Sequence, residues 1–218
     1  MKQLFVLLGL FMMLSGCQPI DPLSGANDPK DDSWHIDFVE PAHMKVWVET
    51  SAVEDIQGML FRNIAGNTAA GSDWDDGTEV AKGWSGLGVS LRPVTGADLP
   101  RRIYVRWQSN ANQTTYKGWI EISEETRRIM RRATMRRCPE RPDEPAYLLS
   151  LMNVGLAPGG IIQIWVRDEC GRPIKTDRVQ VDIEPLGPDQ GKFQGRYTPQ
   201  SASSKRYVER FGIPYGSW

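Results

Sequence analysis

Apolar and polar side chains alternate along much of this 218-residue chain. In 44–49 (Met44-Lys45-Val46-Trp47-Val48-Glu49) the period is two, and in 101–108 Ile103, Val105 and Trp107 share one face. The same rhythm returns in 115–122 with Tyr116, Ile120 and Ile122, in 160–167 with Ile162, Ile164 and Val166, and in 178–184 with Val179, Val181 and Ile183. A period of two is that of a β-strand with one buried face. Glycine interrupts two weaker candidates, 56–61 and 86–91, as it weakens strand interiors generally. Asp76-Gly77, Arg92-Pro93 and Pro185 read as the turns between runs.

One segment breaks the alternation. Ser123 is a helix N-cap candidate, Glu124 and Glu125 follow in the first turn, and arginines accumulate toward Arg137, ahead of Pro139. That order of charge suits the helix dipole and predicts a helix over 123–137. Ile129, Met130, Ala133 and Met135 would form its buried stripe. A shorter helical turn is expected at 204–211. Many strands and one clear helix predict a mainly β fold, an antiparallel β-sandwich or curled sheet with one packed α-helix.

The N-terminus has a different pattern. Lys2 precedes an unbroken run without ionisable groups from Leu4 to Leu14, the layout of a secretory leader. As a helix the run would rise only about 16 Å against a hydrocarbon core of about 30 Å, too short for a permanent span. The Leu14-Ser15-Gly16-Cys17 tetrapeptide resembles the bacterial lipobox. That resemblance implies a leader over 1–16 and a mature chain starting at a lipidated Cys17, whose acyl chains hold it to the bilayer. Gln18, in place of Asp, favours the outer membrane, with the domain taken to face the periplasm. Residues 18–32 are rich in Pro, Asp, Gly and Ser; with Cys17 they read as a flexible tether of about 20 Å reach. Residues 33–218 then make one β-rich domain.

Loss of the leader removes Lys2 and no acid, so the 26 basic and 27 acidic residues become 25 and 27, a net charge near −2. A nucleic-acid binder would carry a strong basic excess. Cys138 and Cys170 are the other cysteines. In an oxidising compartment an even pair reads as a disulfide, the alternative being two separate buried thiols.

Catalytic patterns are scarce. His35 and His43 are the only histidines, and Gly83-Trp84-Ser85-Gly86-Leu87 misses the nucleophile elbow because Leu87 stands where glycine is needed. Neither a zinc-protease helix, a C-x-x-C pair nor a phosphate-loop lysine occurs in the sequence. No enzyme activity, metal or cofactor is implied. The acidic run containing Asp73, Asp75 and Asp76 has its glycine and final acid out of register with a calcium loop, so it reads as a solvated turn or an acidic contact surface. Arg127, Arg128, Arg131, Arg132, Arg136, Arg137 and Arg141 are the one strong local charge asymmetry. Glu124 and Glu125 alone cannot neutralise them, so the cluster reads as a solvated helix face, a headgroup contact or a contact for an acidic partner.

Leu99-Pro100 leading into Ile103-Tyr104-Val105-Arg106-Trp107-Gln108-Ser109, then Tyr116, the run Val154-Gly155-Leu156-Ala157-Pro158-Gly159-Gly160 before Ile164-Trp165-Val166, and finally Arg210-Phe211-Gly212-Ile213-Pro214 and Trp218, resemble one family. It is the Gram-negative lipoprotein family classed as domain of unknown function 2931. Its members are often encoded near type VI secretion genes and toxic lipase effectors. The resemblance implies a periplasmic immunity protein that binds a secreted effector and occludes its active site; a structural or assembly lipoprotein of the envelope is the alternative. The glycine-rich stretch, read from its residues, is a turn delivering the chain into a strand.

Overall fold

The computed structural model describes residues 21–64, 66–71, 80–81, 83–84, 86–88 and 90–218, Phe193 by its backbone alone. Cys17, Asp73, Asp75 and Asp76 lie outside the described residues.

Two sheets face each other. Strands β1 (Ser33–Val39), β5 (Arg92–Thr95), β8 (Leu151–Ala157), β9 (Ile161–Arg167) and β10 (Pro173–Gln180) form a five-stranded sheet in the order β10-β9-β8-β1-β5. The other sheet runs β11-β7-β6-β2-β3, built from β2 (Val46–Asp55), β3 (Leu60–Arg62), β6 (Pro100–Ser109), β7 (Thr114–Glu121) and β11 (Asp182–Ile183), with β4 (Asn67–Thr68) also on β2. Pairing is antiparallel except between β1 and β8, which run parallel. The fold is mainly β and sandwich-like, with two α-helices among the described residues, α1 (Glu124–Met135) and α2 (Ala202–Phe211).

The core is made by the inward positions that the alternation marks. Ile103, Val105 and Trp107 of β6, Tyr116 and Ile120 of β7, and Ile162, Ile164 and Val166 of β9 all belong to one buried cluster. Each such aliphatic side chain contributes about 1.5–3 kcal/mol on burial.

Strand β1 alternates, with His35 and Asp37 between Trp34, Ile36 and Phe38, but its polar face is buried as well, and in β8 both faces are covered and Asn153 is the one polar side chain. Trp34, Ile36 and Phe38 face the core, while the intervening Asp37 is also buried, accepting from the Ser90 amide at 3.0 Å. Asn153 of β8 reaches the Gly88 carbonyl at 3.1 Å. Gly155 has no side chain because the Trp84 and Trp165 rings occupy the space a Cβ would fill. The stretch 155–160 is thus half strand and half turn: β8 runs through Ala157, and Pro158 to Gly160 make the reversal into β9.

Other expectations need correction. The 178–184 run is not one strand. It leaves the first sheet at Gln180 and enters the second at Asp182, so Ile183 lies 61% exposed instead of sharing a buried face with Val179. No strand occupies the described part of 86–91, and Arg92-Pro93 opens strand β5, whose outer edge tolerates a residue lacking an N–H. The 56–61 run begins as a turn: the Asp55 carboxylate accepts from Gln57 and Met59 amides, both at 2.9 Å, and only Leu60 and Phe61 enter β3. Met135 is exposed; the buried side of α1 is Thr126, Met130 and Ala133.

Because β1 starts where β6 starts and β7 ends, the sandwich has two distinct ends. At one, α1 packs across β9 and β10 and sends Met130 into the core. Residues 21–32 dock there too. Gly25 N–H donates to the Met135 carbonyl at 2.9 Å, Arg137 N–H to Leu23 at 2.8 Å, and Asp31 N–H to Leu148 at 2.7 Å. This part of the expected tether is held on the domain by polar contacts, which a hydrophobic pattern does not register. At the other end α2, capped by Ser201 and stopped at Gly212 with φ 71°, stacks Tyr207 on His43 with ring centroids 4.3 Å apart.

Candidate functional site

The arginine cluster is largely neutralised from within. Ser123 caps α1 by accepting from the Thr126 amide, and the Thr126 hydroxyl donates to Asp177 at 2.6 Å, which fixes the rotation of the helix. Arg127 and Arg131 then both meet Glu124 at 2.9 Å, and Arg128 meets Glu125. Arg132 pairs with Glu169, Arg136 with Asp21 at 3.5 Å, Arg137 with Asp28 at 2.6 Å, and Arg141 with Glu144 at 2.7 Å. All seven guanidiniums have a carboxylate partner. Glu124 is held below its usual range by Arg131 and then Arg127. The Asp28 carboxyl is lowered to about 2 by its hydrogen bond from Arg137 and then by the Ala146 amide. Asp21, Asp28 and Glu169 come from elsewhere in the chain, so spacing along the helix could not reveal them. A surface of closed ion pairs attracts a charged partner only weakly.

Cys138 and Cys170 form a disulfide, with Cα atoms 4.7 Å apart. With Glu140 they make a trio of metal-ligand types, but bonded sulfurs offer no thiolate to an ion. His43 is committed to its stack with Tyr207, and His35 is buried in β1 between β5 and β8. Gly83 lies where an added Cβ would strike Ser217, so this glycine serves close backbone packing; Ser85 is outside the described residues.

A better contact surface is the outer face of the six-stranded sheet. Residues opposite the core positions of β6 and β7 bring Tyr104 and Trp119 side by side, ring centroids 5.4 Å apart. Arg102 lies over the Trp119 ring at 4.4 Å and pairs with Glu54 at 2.6 Å. A depression of about 380 Å³ opens between Tyr104, Arg106, Trp119, Thr50, Leu60 and Arg62. The far half of the same face is roofed. Its cover is the 3-10 segment Pro188–Gly195 and the residues after it: the Asp189 amide donates to Glu49 at 2.6 Å, and the Tyr197 hydroxyl lies 3.1 Å from that of Thr115. The open half is the half nearer α1. Tyr, Trp and Arg on a shallow, partly buried patch are the residue types that carry most binding energy in protein interfaces. The signal was present in the sequence as the outward members of the alternation whose inward members define the core.

The fold and surfaces define a two-sheet β domain with a helix at each end and an open, aromatic sheet face. The chain belongs to the family described as "Protein of unknown function (DUF2931)", which matches residues 21–216. That match takes in the docked segment 21–32 along with the strands. Comparison with curated proteins and with solved structures gives no match.

Proposed function

We propose that this chain is a lipid-anchored binding protein of the outer membrane, facing the periplasm, which neutralises a secreted lipase-class effector of type VI secretion by covering its active site. The open half of the six-stranded sheet supports this reading: it presents Tyr104, Trp119 and Arg106 around a shallow depression, suited to a protein partner more than to an enclosed small molecule. It also lies toward the end where residues 21–32 dock, so an anchor at Cys17 would hold it close to the lipid on which such an effector acts. Anchoring supplies the effective concentration that a waiting inhibitor needs.

The test is co-purification of the C17S protein with candidate secreted lipase-class effectors. A stoichiometric complex that is lost on Trp119→Ala or Tyr104→Ala, with the melting temperature retained, is the expected result. A folded protein that captures no effector would sink the inhibitor reading. A cell-surface defect on gene loss, with no toxin present, would point to an envelope structural or assembly role.

A further inference from the structure

We infer that the α1 end of the sandwich rests on the bilayer and is seated there by aliphatic side chains, not by the arginines. The inference rests on lipidation of Cys17. Four chain steps separate Cys17 from Asp21, a reach of about 14 Å at full extension. From Asp21 onward the chain is committed to the domain: Asp21 meets Arg136, Leu23 and Gly25 bond the end of α1, and Asp28 holds Arg137. An acylated Cys17 therefore cannot let the domain stand far off, and the surface beside Asp21 is the one brought to the headgroups.

That surface carries charged groups, the exposed Lys30, Asp31 and Asp32 among them, with large apolar side chains between them. Met135, at the last turn of α1, is 47% exposed, and Leu148 is 50% exposed. The two share the wall of one open depression with Asp98 and Leu99. The turn before β3 abuts that loop, Ile56 N–H donating to the Leu99 carbonyl at 3.0 Å, and adds Ile56 at 40% and Met59 at 61% exposure. Four large unbranched or aliphatic side chains thus rim the end where the anchor arrives. Shallow insertion of such groups at the acyl boundary is favourable in proportion to the apolar area removed from water. The nearby guanidiniums are already closed on Glu124, Glu125, Glu169, Asp21 and Asp28, and the Lys30 ammonium donates to the Gly25 carbonyl at 2.7 Å beside the acidic Asp31 and Asp32, so the arginines offer headgroups little attraction.

The test uses the full-length protein, its acylation first established by intact mass, in vesicles of phosphatidylethanolamine and phosphatidylglycerol carrying a diazirine on the acyl chain. Cross-links are expected in peptides spanning 55–62 and 145–150, and to persist in about 1 M salt, where the screening length falls to about 3 Å. They should fall several-fold in the Met59→Ser/Leu148→Ser double variant, whose unchanged melting temperature would exclude unfolding. Peptides containing Leu186 and Tyr215, exposed far from this rim, should stay unlabelled. Labelling centred on Leu186 or Tyr215, no labelling of an acylated protein, or labelling abolished by salt would each overturn the proposed seating. An intact mass without acyl chains would instead refute the anchor itself, and the seating with it.

Discussion

The two ends of the sandwich are held by different physics. At the α1 end the fastenings are a disulfide and ion pairs: Cys138–Cys170, Arg137–Asp28, Arg132–Glu169 and Arg172–Asp168. At the α2 end they are mainly rings: His43 on Tyr207, Tyr207 against Phe211, and Trp218 against Trp84 and Tyr215. Polar fastenings depend on redox state, pH and salt; packed rings depend on shape and burial. The difference predicts that the ends can be loosened separately.

The largest effect should come from the covalent fastening. Cys138 and Cys170 are 32 residues apart in sequence, and closing a loop of that size stabilises by about 3–4 kcal/mol in the chain-entropy model. The C138S/C170S double variant should melt about 10 °C lower than the parent, and reductant should lower the parent but not that variant. An unchanged melting curve on reduction would show that the bridge contributes nothing. Next comes Tyr207→Ala at the other end. Tyr207 is almost fully buried and fills the space against His43, so its loss should cost about 3 kcal/mol, with no dependence on reductant. A Tyr207→Ala cost that changed once the bridge was reduced would abolish the contrast between the ends.

Acid should act on the α1 end in a smaller, local way. The folded Asp28 carboxyl is lowered to about 2, below an unfolded value of about 3.9. A depressed carboxylate stabilises fully above the unfolded value, and that contribution is lost as pH falls from about 4 through about 2. Amide exchange in residues 23–31 should therefore rise across that window before the core opens, and Asp28→Asn should show the fast exchange already at neutral pH. Buried Asp37 behaves oppositely: burial raises its pKa, so its neutral form is favoured and its contribution declines as pH rises. Exchange near Asp37 that tracked exchange near Asp28 would contradict these assignments.

How much of this was legible in the sequence follows from what the alternation encodes. It locates a core with one wet side, so Ile103, Val105 and Trp107 were readable, and Tyr104 and Trp119 stood in the same runs as their outward partners. β1 was legible too, with His35 and Asp37 between Trp34, Ile36 and Phe38, whereas β8 was hidden because both its faces are covered and Asn153 is its one polar side chain. α1 was readable from its cap and charge order. The state of its arginines was not, since Asp21, Asp28 and Glu169 are brought to them by tertiary folding alone. The docking of 21–32 was hidden for the same reason: it runs through carboxylates and amides, and the composition of the segment is that of a linker.

The smallest predicted effect separates the two candidate surfaces most cleanly. Arg128 and Glu125 are both well exposed and paired with each other across one helical turn. An exposed pair of this kind contributes little, because water already solvates both charges and ordering two long side chains costs entropy. Arg128→Ala should thus shift the melting temperature by less than about 2 °C and leave effector capture unchanged, while Trp119→Ala abolishes capture. Trp119 is a rigid ring flanked by Tyr104 and Arg102, so a partner gains apolar contact there at little cost in side-chain ordering. Should Arg128→Ala weaken capture and Trp119→Ala leave it intact, the helix and not the open sheet would be the binding surface, and the ion pairs along α1 would have to open for the partner.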